Sequence, residues 1–261
     1  MLPSPSLPPD DLLFEILLRL PPEPHCLHRA ALDPITGHRR CVRLGRLGGH
    51  VQACNAAVLG EQETRREGSF RVAFVFTGEG RASACLYSSE TGAWGKLITA
   101  EARCGDVDKK PSALAAGALY WVLDDGHILE LHLGKESLAV VEPPPGALAL
   151  YGGNIQLMYA ADGALGLAGM EVFSLQLWRR EAGRDGIASS WVLRKTINLD
   201  LFTPQPRAGL RVIPVPPVEL LGVDEHGIFT FIWTMEGIFM VHLEDEMLKK
   251  NSFALLTLFD M

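Results

Sequence analysis

The sequence has little of what most function classes require. Lys and Arg number 24 against 31 Asp and Glu, leaving a formal charge of −7 over 261 residues. Nucleic-acid binding shows as a basic face or stripe, and the pairs Arg39-Arg40 and Arg65-Arg66 are too isolated to supply one. No nucleic acid partner is expected. Cysteine is sparse and odd in number: Cys26, Cys41, Cys54, Cys85 and Cys104 are widely scattered. That usage suits reduced thiols in an intracellular compartment, cytoplasmic or nuclear, and not a disulfide framework. No stretch reaches the roughly 18 apolar residues of a membrane span. The opening Met1-Leu2-Pro3-Ser4-Pro5 has neither a basic n-region nor an apolar h-region, so neither membrane insertion nor a secretory signal is expected.

Catalytic and metal motifs are equally thin. His25-Cys26-x-His28 with Cys41 lacks the paired C-x-x-C spacing of a closed zinc site. His127 and His132 stand at i, i+5 on one expected strand and so point to opposite faces. Gly78-Glu79-Gly80 lacks the third glycine and following helix of a dinucleotide fingerprint and reads as a hairpin loop. The acidic pairs in Asp124-Asp125 and Glu244-Asp245-Glu246 fall where solvated loops are expected, whereas general acid–base work needs carboxyls in a cleft. With no Gly-x-Ser-x-Gly, P-loop or His-Glu-x-x-His motif, no enzyme activity, cofactor or metal is expected.

What is present is a folding composition, 48% apolar and 21% charged. One strong helical pattern opens the chain, where Leu13, Ile16, Leu17 and Leu20 recur at i, i+3, i+4, i+7. Asp10 and Asp11 mark its amino end, and Pro21-Pro22 stops it. From Phe70 onward the pattern changes to short β-branched and aromatic runs, which read as strands. Examples are Arg71–Phe76, Ala84–Tyr87, Ala118–Leu123, Ile128–Leu133, Ser137–Val141, Val172–Arg179, Trp191–Ile197, Leu220–Val223, Ile228–Trp233 and Ile238–Leu243. Turn dipeptides separate several: Thr91-Gly92, Asp125-Gly126, Asp162-Gly163, Asp185-Gly186 and His226-Gly227. Outer-strand candidates ending near Val141, Ile197 and Lys250, with a Thr-Gly echo between residues 36–37 and 91–92, give a period of about 45 to 55 residues. Such a period suggests four-stranded propeller blades, here four to five of them. Tyr120, Trp121, Trp94, Trp191 and Trp233 are expected as anchors between packed sheets.

Residues 7–30, LPPDDLLFEILLRLPPEPHCLHRA, closely resemble the first half of the F-box in a large plant, especially grass, family. The matching positions are Leu7, Pro8, Asp10, Asp11, Leu12, Leu13, Glu15, Ile16, Leu17, Leu18, Arg19, Leu20 and Pro21. Residues from about Gly68 to Phe253 resemble the β-propeller-like domain associated with those F-boxes. The resemblance implies a substrate-recognition subunit of a Skp–cullin–F-box ubiquitin ligase. Leu7, Pro8, Leu12, Leu13, Ile16 and Leu17 would contact the Skp-type adaptor, and the propeller-like domain would bind a target protein of unspecified identity. The expected fold is mainly β, an incomplete β-propeller with kelch-like blades of antiparallel strands, preceded by a short F-box-type helix. Residues 1–30 form the partial F-box and 31–261 the propeller-like domain.

Beyond Ala30 the match breaks. The family continues with Val-Cys and Trp-Arg segments that supply further F-box helices, whereas Ala30 here runs into Ala31-Leu32-Asp33-Pro34-Ile35-Thr36-Gly37, which resembles a blade from inside the propeller. A lone helix of about 12 residues is marginal in water, so weak or absent adaptor binding is expected. The alternative reading is a truncated family product without a ligase role, non-functional or a competitor for the target.

Overall fold

A computed structural model describes residues 28–32, 39–43, 51–60, 69–147, 154–160, 162–181, 183, 189–199, 218–224, 227–234, 237–244 and 248–250. The expected opening helix lies outside these residues, as do Leu7, Pro8, Leu12, Leu13, Ile16 and Leu17, the pair Arg65-Arg66, and Asp185-Gly186. Every element among the described residues is a strand. The chain divides into two compact units, residues 1–111 and 112–261.

In the first unit, β1 (His28–Leu32) and β2 (Arg39–Arg43) form an antiparallel hairpin. A second sheet follows in the order β3 (Ala53–Leu59), β4 (Arg71–Gly78), β5 (Arg81–Ser88) and β6 (Ala93–Trp94), and β7 (Ile98–Thr99) also pairs with β5. Tyr87 pairs with Trp94 and Ala84 with Ile98, so β6 and β7 are one outer strand interrupted by an extra residue. Gly78-Glu79-Gly80 is the hairpin loop expected. Glu79 (φ +54°) and Gly80 (φ +72°) are both left-handed, the geometry of a two-residue turn that follows strand twist. Ala56, Val72, Phe74, Phe76 and Cys85 make the core of this sheet, with Tyr87 and Trp94 half-buried against it.

The second unit holds three consecutive four-stranded antiparallel meanders. Sheet II is β8 (Ala113–Ala115), β9 (Ala118–Val122), β10 (Ile128–His132) and β11 (Ser137–Val141). Sheet III is β12 (Ile155–Tyr159), β13 (Leu165–Glu171), β14 (Ser174–Glu181) and β15 (Ser190–Asn198). Sheet IV is β16 (Val218–Val223), β17 (Phe229–Thr234), β18 (Gly237–His242) and β19 (Leu248–Lys250). These three and the sheet of the first unit are, among the described residues, four blade-like sheets, and the fold class is that of a β-propeller. The blades begin at Ala53, Ala113, Ile155 and Val218, a less even spacing than expected.

Sheet III is buried on both faces, and strand alternation does the sorting. Ile155, Leu157, Leu165 and Leu167 pack toward sheet II, while Met158, Ala168, Met170 and Leu175 pack toward sheet IV. The expected strand Val172–Arg179 is corrected at its start: Glu171 pairs with Ser174, so Val172-Phe173 is a turn. Two bulges re-aim strands, one with Arg194 as the extra residue of β15 and one with Leu221 as the extra residue of β16. Asn154 ties the last two blades together. Its amide donates to Val218 O (3.0 Å) and accepts from Leu220 N (2.8 Å), satisfying the free edge of β16 as a neighbouring strand would. In the first unit Asn55 on β3 similarly donates to the carbonyls of Asp108 (2.8 Å) and Lys110 (2.9 Å).

Candidate interaction surface between two blades

Sheets II and III meet through an apolar centre of Ala118, Tyr120, Val122 and Ile128 against Ile155, Leu157, Leu165 and Leu167. Toward the outer strands this contact gives way to polar and half-exposed groups. Glu130 lies directly opposite Tyr120 in the β9–β10 ladder, on the face that Ile128 also uses. Arg180 lies opposite Trp191 in β14–β15, on the face of Trp178. Strand parity therefore turns an acid and a base toward each other across the blade junction. They pair at 2.9 Å, with their side chains only 20% and 16% exposed.

The surroundings finish the pairing. Arg180 Nε donates to Ser189 Oγ at 3.0 Å, and the guanidinium carbon stands 5.8 Å from the Tyr120 ring centroid, within cation–π range. Burial pushes the Tyr120 hydroxyl pKa up, and the negative charge of Glu130 adds to the rise while Arg180 opposes it. Burial and Glu130 both favour the protonated hydroxyl. Beside the pair, Trp178 and Trp191 are half-buried, and Leu193, 43% exposed, pairs with Trp178 in the ladder. Trp191 Nε1 donates to Glu142 O at 2.9 Å. His127 sits with Nδ1 3.2 Å from Asp125 and Nε2 3.4 Å from Glu142.

The other face of β14 carries a second charge chain. Arg179 pairs with Asp162 and, at 3.3 Å, with Glu181, which also takes Arg194 at 2.7 Å. Arg179 holds the Asp162 carboxyl below the ordinary carboxylate range. The acids and bases of the junction are thus matched with each other. Half-buried Trp178 and Trp191 beside the paired Arg180 are of the residue types enriched at protein–protein hot spots.

Other sequence expectations resolve as follows. Tyr120 and Trp121 are fully buried, whereas Trp94, Trp191 and Trp233 are half-buried. Asp124-Asp125 lie in an exposed turn in which Asp125 Oδ1 accepts from His127 N at 3.0 Å. Glu244 is exposed, and Asp245 and Glu246 lie outside the described residues. His25 and Cys26 also lie outside them. Among the described residues no three His, Cys, Asp or Glu side chains come together as a metal site, and no helix is long and apolar enough to cross a membrane. Glu130 and Arg180 were not singled out from sequence. The one signal is for Glu130, a charge at an inward position of the otherwise apolar Ile128-Leu129-Glu130-Leu131; Arg180 lies in a strand with several polar residues and has none.

The profile of the F-box protein AT5G49610-like β-propeller matches residues 33–252. The chain belongs to that family. No curated protein sequence matches it. Among solved structures, Hsv2 of Kluyveromyces marxianus is similar at 11% identity and a TM-score of 0.40, over 84% of this chain and 60% of that one. A prolyl endopeptidase is similar at 13% identity and a TM-score of 0.41, over 84% of this chain and 31% of the enzyme. Kluyveromyces lactis Hsv2 shares 12% identity over 88% of this chain and 80% of its own, with a TM-score of 0.34. The chain therefore spans less than two thirds of the first two, and at these scores the likenesses add nothing to the family assignment.

Proposed function

We propose that the chain is a substrate-recognition subunit of a Skp–cullin–F-box ubiquitin ligase that binds a target protein through its propeller. It would act inside the cell and not as an enzyme, with ubiquitin transfer left to the partner ligase. The observation that carries this reading is the order of two segments: an F-box-like stretch, residues 7–30, directly precedes the 33–252 match to the propeller of F-box proteins. Leu7, Pro8, Leu12, Leu13, Ile16 and Leu17 are the adaptor contacts in this reading. The junction of sheets II and III, with Trp178, Trp191 and Leu193 beside Arg180, is a candidate target-facing surface.

A second reading rests on the same boundary. The family match begins three residues after Ala30, leaving no room for the remaining F-box helices. The chain would then be a truncated family product, of plant and particularly grass type, that keeps target binding without adaptor binding. Titrating the purified full chain with a Skp-type adaptor separates the two. A submicromolar complex lost on Ile16→Asp supports the ligase subunit, whereas no complex at tens of micromolar supports the competitor.

A further inference from the structure

Two hairpin turns of the second unit carry the same dipeptide: Asp125-Gly126 lies between β9 and β10, and Asp162-Gly163 between β12 and β13. Aspartate before glycine is prone to a reaction within the chain, because glycine has no side chain to keep its backbone nitrogen from the neighbouring carboxyl carbon. The nitrogen bonds to Cγ, and one carboxyl oxygen leaves as water, taking the carboxyl proton and the amide proton. Water then opens the resulting five-membered imide at its main-chain carbonyl, and the chain continues through the former side chain as isoaspartate. The change consumes no oxidant or cofactor and leaves the mass unaltered.

The two turns are closely matched in backbone. Gly126 N donates to Leu123 O at 2.8 Å, and Gly163 N to Ala160 O at 2.9 Å. Leu123 N donates to His127 O and Ala160 N to Ala164 O, each at 2.9 Å. The glycines have φ of +80° and +78°. Asp125 Oδ1 accepts from His127 N at 3.0 Å, and Asp162 Oδ1 from Ala164 N at 3.2 Å.

What faces each carboxyl differs. Arg179 pairs with Asp162 and favours its ionised form, which has no proton with which an oxygen can depart as water. Asp125 instead faces His127, whose Nδ1 stands 3.2 Å from Oδ1, within reach for proton transfer. That nitrogen is buried and has no hydrogen-bond partner among the described residues. Glu142, 3.4 Å from Nε2, holds the ring from its other side.

We propose that Asp125 is a site of spontaneous isoaspartate formation in which His127 is the general acid that protonates the leaving oxygen, and that Asp162 is its protected counterpart. The product adds one methylene to the main chain at the β9–β10 turn and removes the side-chain carboxylate that accepts from His127 N.

The test ages the full chain at neutral pH and quantifies isoaspartate, peptide by peptide, by electron-transfer fragmentation and by enzymatic methylation of the isoaspartyl carboxylate. Formation at Asp125 is expected to outpace that at Asp162 by about tenfold or more, and His127→Ala to slow Asp125 by about the same factor. The sign separates catalysis from packing, since merely loosening the turn would speed the reaction. Arg179→Ala is expected to speed Asp162 and leave Asp125 unchanged. No isoaspartate at Asp125, or as much at Asp162, would overturn the site. Undiminished formation at Asp125 in His127→Ala would overturn the role of His127, and an unchanged Asp162 in Arg179→Ala would overturn the protection.

Discussion

Cys85 separates burial from mere scarcity of cysteine. It lies in the core beside Phe74 and Phe76, and burial pushes its thiol pKa up to about 11 from 9.0. The thiolate is the reactive form, so at pH 8 Cys85 should be alkylated only as fast as the fold opens. Half-buried Cys54 and Cys104 should react sooner, as peptide mass mapping over time would show. The raised pKa has a stability consequence whose sign is fixed. The folded state holds the proton more tightly, so this contribution is whole below about pH 9 and is lost as pH rises toward 11. Denaturation midpoints should fall over that window, and less so in Cys85→Ala. Tyr120 and Trp121 could be placed in the core from sequence because large aromatics in strands have few other places to go. Glu130 and Arg180 could not, since pairing across two sheets depends on a blade contact that local pattern does not encode.

Three of the five turn dipeptides lie wholly in described residues, as does Gly227 of a fourth, and each of these glycines has the expected positive φ: Gly92, Gly126, Gly163 and Gly227. They differ in what surrounds them. A Cβ at Gly163 would meet nothing within 4 Å, whereas one at Gly227 would lie 2.3 Å from Tyr159 O, at the end of β12 in the preceding blade. Gly163→Ala should therefore cost about 1 kcal/mol of backbone strain. Gly227→Ala adds a backbone collision and should cost about 2–5 kcal/mol; urea melts of the two variants check the contrast. Two strands outside the sequence examples, β3 and β13, share a cause. β3 reads Ala-Cys-Asn-Ala-Ala-Val-Leu and β13 reads Leu-Gly-Leu-Ala-Gly-Met-Glu, rich in residues of low β-propensity. In β13 burial on both faces also erases the alternation that would reveal a strand. Gly166 explains part of this choice, because a Cβ there would lie 2.9 Å from Met158 Cγ.

Blades that share cores and polar ties should unfold together, and two ties can be weighed. Asn154→Ala removes both side-chain bonds to β16 and leaves that edge unsatisfied, an expected loss of about 2–3 kcal/mol. Hydrogen exchange should rise at Leu220, whose N–H the Asn154 side chain accepts. Glu130 and Arg180, neither exposed nor fully buried, should show a coupling of about 1–3 kcal/mol in a double-mutant cycle to Ala; additive single effects would mean that the pair contributes no net stability. The bulge at Arg194 has a different consequence, for how chain length can change. Leu193 pairs with Trp178 on the face toward sheet II, and Lys195 pairs with Leu177 on the face toward sheet IV, where its Nζ reaches Leu243 O at 3.0 Å. Removing Arg194 alone would bring these two halves into continuous pairing without turning either over. Deleting Leu193 or Lys195 would put Arg194 in its place, and deleting a residue farther along β15 would turn the intervening residues over, so among single-residue deletions there, position 194 is the one that descent could lose most cheaply.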